Sequence, residues 1–157
     1  MADNIGNKLA NSLHTHKKVK KVFSNKEQLC KGYKTSLNEL DLERLLLLIT
    51  YASKENGVEE IFGRTRFQKI VYIIQHKFNL DRSESGYQIH FYGPYSWSVQ
   101  GSLDLLEIAG LIEENAVPTD GYIQYNYALT TLGKKVASKV FKNLSAESRN
   151  KLKKIGE

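Results

Sequence analysis

The sequence predicts an α+β fold on the winged helix-turn-helix plan, with a small antiparallel sheet and extra terminal helices. Three observations carry that expectation. Apolar residues recur at helical spacing in four separate stretches, the period switches to alternation around Tyr87–Phe91, and Asp120-Gly121 separates two extended runs. The order along the chain is helix, helix, strand, helix, hairpin, helix. A third helix running directly into a hairpin is what marks the plan.

Residues 1–35 are polar, Lys-rich and without a helical period, which predicts a flexible basic arm with a short helix at most, around Lys17–Phe23. The winged-helix domain is expected over 36–144. Ser36 with Glu39 has the form of a capping box ahead of Leu37, Leu40, Leu45, Leu48 and Ile49, so a first helix is expected from there to Asn56-Gly57. Thr65 with Gln68 makes a second box. It opens a helix whose apolar stripe is Phe67, Ile70, Val71, Ile74 and Phe78, packed against Leu45, Leu48 and Leu103, with Arg66, Lys69 and Lys77 outside it.

Tyr87, Ile89 and Phe91 then alternate with Gln88, His90 and Tyr92, a strand stopped by Gly93-Pro94. This strand is expected to complete a three-stranded sheet with the later hairpin, placing Phe91 and Tyr125 in the core. Ser96 caps a third helix, 97–109, with Val99, Leu103 and Leu106 inward and Gly110 at its end. Leu111–Val117 and Tyr122–Leu129 form the wing around Asp-Gly. Thr130 caps a helix burying Leu132, Val136 and Val140, and Ser145 caps a short basic helix that reads as a tail over 145–157.

Composition narrows the function. No apolar run approaches the roughly 20 residues that span a bilayer, and the first residues lack the apolar core of a secretory signal, so a soluble cytoplasmic protein with no membrane partner is expected. Cys30 is the only cysteine, which excludes an internal disulfide and a multi-cysteine zinc site. The net charge is +6, and its distribution says more than its size. Residues 1–36 hold eight lysines against two acids, residues 131–157 eight basic residues against two acids, and the middle, 37–130, seven basic residues against thirteen acids. An acidic body with basic ends implies that any polyanion is met by the ends first.

Two stretches carry a resemblance. Gly63-Arg64-Thr65-Arg66-Phe67-Gln68-Lys69-Ile70-Val71-Tyr72 and Phe91-Tyr92-Gly93-Pro94-Tyr95-Ser96, at this separation, resemble the YwgA-like winged-helix family, with a more distant likeness to the Panacea domain of antitoxins and proteolysis adaptors. Leu106-Glu107-Ile108-Ala109-Gly110-Leu111-Ile112-Glu113 and Leu129-Thr130-Thr131-Leu132-Gly133 resemble the helix-to-wing and wing-to-helix joints of small winged-helix regulators. The resemblance spans residues 63–137. It implies a winged-helix fold in a regulatory or antitoxin-like setting, and it brings no catalytic residues with it.

Two functions follow as expectations. In the first, the protein is a nucleic-acid-binding transcriptional regulator whose phosphate contacts come from Lys17, Lys18, Lys20 and Lys21 on the arm and from Arg64, Arg66 and Lys69 at the start of the second helix, with DNA as partner. The third helix is poor for groove reading, since it offers Gln100, serines, Asp104 and Glu107 but no Lys or Arg, and the wing adds Glu113, Glu114 and Asp120. A competing reading pairs Arg64 and Arg66 with Glu59 and Glu60. In the second function, Tyr95, Trp97 and Gln100 bind a protein partner, such as a cognate toxin or client, in the manner of an antitoxin or adaptor. A homodimer is open in either case.

Catalysis is not expected, and neither is a cofactor or a metal. His14, His16, His76 and His90 lack zinc-ligand spacing, and no glycine-rich phosphate loop is present. Asp81 and Glu84 are the acids that a metal-dependent nuclease site would draw on, against their plainer role as solvated loop residues.

Overall fold

Leucine clustering decides where the centre of the molecule lies. A computed structural model describes residues 34–80 and 85–156. Helix α1 spans Leu42–Glu55, and Leu45, Leu46, Leu47, Leu48 and Ile49 are all buried on it. Five consecutive buried apolar residues exceed one helical face, so α1 is surrounded by neighbours.

The helix starts later than Ser36 predicts. Ser36 N–H does donate to Glu39 Oε2 at 3.0 Å, but only a 3-10 turn, Leu37–Glu39, follows it. Leu40 is extended, and Asp41 caps α1 instead: its carboxylate accepts from Arg44 N at 2.9 Å and pairs with the Arg44 guanidinium at 2.6 Å. Of two nearby cap signals, the one that also gains an ion pair opens the helix.

Strand β1, Ile61–Phe62, leads through Gly63 into helix α2, Arg64–Lys77. Gly63, not Thr65, is the N-cap. The buried stripe is Phe67, Gln68, Val71, Ile74 and Gln75, while Ile70 and Phe78, expected inside, are only half-buried. Gln68 explains the rotation. Its Nε2 donates to Ser96 O and its Oε1 accepts from Ser96 N–H, both at 3.0 Å, so a fully buried amide is satisfied at both ends. Ser96 Oγ in turn caps helix α3, Trp97–Ile108, by accepting from Val99 N at 3.1 Å. One polar side chain thus joins α2 to the start of α3. The connection between them, 78–96, far exceeds the roughly 3–4 residues of a simple helix-turn-helix, and it carries a hairpin of its own, β2 (Gln88–His90) with β3 (Gly93–Tyr95).

The wing is β4 (Ile112–Thr119) and β5 (Tyr122–Leu129), paired antiparallel across Asp120-Gly121 with Glu114 opposite Tyr127. The sheet order is β1-β5-β4, Ile61 lying opposite Tyr127, and Pro118 sits on the edge strand where a missing N–H is tolerated. The third strand is therefore Ile61–Phe62 and not the stretch before α3. That stretch folds back on itself at Phe91-Tyr92, because Gly93 takes φ +116 and lets the chain reverse there. The reversal puts Phe91 at a turn tip, 97% exposed, rather than in the core, while Tyr125 is half-buried. The architecture is α+β, with a topology compatible with a winged helix.

Helix α4, Thr131–Lys142, is capped by Thr130, which accepts from Gly133 N at 2.9 Å and donates to Gly110 O at 2.6 Å. A Cβ at Gly133 would lie 1.8 Å from Leu111 O, so the helix reaches the start of the wing only because this residue has no side chain. Gly133 and Ala137 are consequently the buried positions; Leu132, expected inward, is 52% exposed, and Val136 and Val140 are half-buried.

Helix α5, Ala146–Lys153, is not a separate tail. Leu144 and Leu152 are fully buried, Ser148 Oγ accepts from Leu37 N at 3.1 Å, and Thr35 bridges to Asn143 O and Ser145 N at 3.0 and 2.9 Å. One unit runs from Lys34 through α5, with no boundary at 144. No helix among the described residues is long and apolar enough to cross a membrane.

Candidate functional site

Arg64 opens α2 directly under the wing. Its Nη2 lies 2.8 Å from Glu114 Oε1, its Nε 3.4 Å from Glu114 Oε2 and 3.3 Å from the Tyr127 hydroxyl, and its Cζ sits 3.8 Å from the centre of the Tyr125 ring. The Glu114 side chain is only 13% exposed. Burial works against the Arg64 charge, but the hydrogen bonds to Glu114 and Tyr127 outweigh it and hold the guanidinium above its ordinary value. Burial, with the Glu114 hydrogen bond added, likewise pushes the Tyr127 hydroxyl up. This guanidinium is already engaged along one edge and over one planar face. Glu59 and Glu60, the partners expected from sequence, are held elsewhere, by Lys54 at 3.1 Å and by Asn126 Nδ2 at 3.2 Å.

The outer face of α3 carries Trp97, Ser98, Gly101, Asp104, Glu107 and Ile108, all exposed, with Glu113 exposed on the adjoining wing. Burial, then the negative charges of Glu114 and Asp104, raise the Glu107 carboxyl above the usual range, against the pull of Arg64. Gln100 does not share this face. It is 9% exposed, and its Nε2 donates to Asp104 Oδ1 at 2.9 Å.

The β2–β3 hairpin is tied to α2 by its base. Tyr87 packs edge-on against Tyr72 with ring centres 5.0 Å apart, its hydroxyl donates to Gln75 Oε1 at 2.7 Å, and Gln75 Nε2 donates to Ser85 Oγ at 2.9 Å. Beyond that base the hairpin is apolar and open: Ile89 is 99% exposed, Phe91 97%, Tyr92 71% and, at the start of α3, Trp97 70%. Rings run continuously across it, His90 lying 5.7 Å from both Phe91 and Tyr95, and Tyr95 5.0 Å from Trp97. Lys69 passes beneath, its Cε 2.8 Å from where a Cβ on Gly93 would be.

Of the residues singled out in the sequence, Tyr95 and Trp97 are brought together, and Gln100 is withdrawn from them into the interior. Arg66 and Lys69 are exposed on α2, whereas Arg64 is half-buried and paired with Glu114. Lys17, Lys18, Lys20 and Lys21, together with Cys30, His14, His16, Asp81 and Glu84, lie outside the described residues. Sequence reasoning misses Glu114, Tyr125 and Tyr127 as partners of Arg64, although a two-residue Asp120-Gly121 turn already sets Tyr127 opposite Glu114. It also misses Ile89 and Phe91 as surface, because alternation is equally the pattern of a half-buried strand. Among the described residues no group of three or more His, Cys, Asp or Glu could hold a metal ion.

Fold and surface define an α+β protein with a topology compatible with a winged helix, an acidic third-helix face and an exposed aromatic hairpin. No protein-family model matches the chain. Over 74 residues it is 39% identical to a Bacillus subtilis (strain 168) protein described as "Uncharacterized protein YwgA", which supports a YwgA-like relationship. The match takes in 47% of this chain and 43% of that protein, so the chain spans less than half the length of the relative it matches.

Proposed function

We propose that this chain is a protein-binding module, of antitoxin or proteolysis-adaptor type, that docks its partner on the β2–β3 hairpin and the first turn of α3. One observation carries the reading: Ile89, Phe91, Tyr92 and Trp97 stand exposed on one short stretch, anchored at its base by Tyr87 and Gln75. A contiguous apolar surface of large side chains on a fixed support is what interfaces use, and Trp and Tyr dominate their energetics. The charges support the same choice, since α3 and the wing present acids where groove reading needs cations.

A second reading, contact with a nucleic-acid backbone, is favoured by the exposure of Arg66 and Lys69 at the start of α2. A single comparison separates them. Phe91→Ala and Trp97→Ala should each lose the protein partner retained from cell extract by the unaltered chain, with melting temperatures unchanged. If instead those variants keep the partner, while duplex DNA binds with a steep salt dependence that weakens in an Arg66→Ala, Lys69→Ala double variant, the nucleic-acid reading replaces the first.

A further inference from the structure

We infer that the docking surface takes a protein segment in which a cationic side chain sits next to an apolar one, the cation resting on the Tyr95–Trp97 pair and facing Asp104. This rests on the docking reading and adds the chemistry of the partner to it. Three features converge. Tyr95 and Trp97 meet edge-on at 5.0 Å, and Trp97 is 70% exposed, leaving indole surface open to a partner. An indole face is the best of the natural ring surfaces for an ammonium or guanidinium group. Asp104 lies two helical turns along from Trp97 on the same exposed face, about 10 Å at 1.5 Å per residue, and its charge acts on the Tyr95 hydroxyl against the opposing charge of Arg64.

The third feature is charge balance. The exposed face of α3 holds Asp104 and Glu107 and no Lys or Arg, and Glu113 extends it onto the wing. Of the cations nearest this face, Arg64 is bound to Glu114, and Lys69 runs beneath the β2–β3 hairpin at Gly93 rather than along α3. Repulsion among Glu107, Glu114 and Asp104 is therefore only partly compensated within the chain, and an incoming cation relieves it. Ile89, Phe91 and Tyr92 beside the ring pair supply an apolar seat for the neighbouring residue of the partner. A phosphate-bearing partner would meet the acids of α3 instead.

The test is to place a photo-crosslinking residue, p-benzoylphenylalanine, at exposed Ser98, capture from cell extract, and map the joined segment by mass spectrometry. The expected result is a protein segment with an Arg or Lys within a few residues of the crosslink. Capture should fall several-fold in Asp104→Asn, which keeps the acceptor for Gln100 and removes the charge, and should be restored in Asp104→Glu. It should fall further in Trp97→Leu, which keeps an apolar side chain and removes the ring. A joined segment free of Arg and Lys, or capture indifferent to Asp104→Asn, overturns the cationic subsite and leaves the docking reading standing. Joining to nucleic acid, or no joined protein at all, overturns both.

Discussion

Arg64 opens α2 and Trp97 opens α3, and the structure treats the two helix starts in opposite ways. Around Arg64 the charged and polar groups are paired with one another: Glu114, Tyr127 and the Tyr125 ring converge on one guanidinium. Around Trp97 the chain has built a rigid base, through Gln68, Ser96, Gln75 and Tyr87, and then left the apolar residues above it uncovered. In sequence the Arg64 region has the marks of a phosphate site, and in the structure its guanidinium is held by Glu114 and Tyr127. The alternating run before Trp97, with Phe91, has the marks of a core strand, yet it is surface. A charged residue beside a compatible partner in the same fold is as much a packing device as a leucine, and a phenylalanine is core only where another layer covers it.

The same substitution in the two regions gives the sharpest break. Phe67 is fully buried and meets Tyr127 edge-on with ring centres 5.3 Å apart, so Phe67→Ala should lower stability by about 3–5 kcal/mol. Phe91→Ala, at 97% exposure, should stay within about 0.5 kcal/mol of the unaltered chain. Urea unfolding midpoints measure both. A comparable loss in Phe91→Ala would mean that the hairpin is covered in solution, and the distinction between the regions would fail.

A smaller difference is expected within the basic start of α2. Arg64→Ala leaves Glu114, 13% exposed, without its counter-ion and removes a donor from Tyr127, at a cost of about 1–3 kcal/mol. Arg66→Ala, two residues on and exposed, should change stability by about 0.5 kcal/mol at most. Equal effects of the two would show that the Arg64 cluster is ornamental to folding.

Local signals are legible in the sequence because they need only their neighbours. Ser96, Thr130 and Ser145 cap the helices expected of them, and Asp120-Gly121 sets the wing. The expectations that fail all involve partners far along the chain. Ile61–Phe62 is two residues long and is a strand only because β5 lies beside it. Gln68 is a capping residue on local grounds and a buried strut on tertiary ones, since its partner is Ser96, 28 positions away. Leu132 is turned outward by the approach of Gly133 to Leu111 O, a distance no helical period encodes. For the candidate site, Tyr95 and Trp97 are readable from the Gly93-Pro94 turn, whereas the burial of Gln100 and the capture of Arg64 depend on the wing's placement.

The smallest expected effect tests whether the acidic face is truly uncompensated. The Glu107 carboxyl is held above 4.5, first by partial desolvation at its exposed site and then by Glu114 and Asp104. Between 4.5 and that raised value the folded chain holds a proton that the unfolded chain has released. Stability from this group therefore declines as pH rises through that window, and remains lower once both states are ionised. Glu107→Gln removes the charge, so the variant should match the unaltered chain in acid and gain on it towards neutrality. The gain should be about 0.5 kcal/mol or less, because the side chain is exposed and solvent screens it. Urea midpoints for the two proteins from acid to neutral pH show the trend directly. If the unaltered chain instead loses ground to the variant as pH falls, Glu107 is favourably paired in the folded state, with Arg64 as the cation that pulls on it. The acidic face of α3 would then be balanced from within, and the contrast between a paired cluster and an open, charge-hungry one would no longer hold.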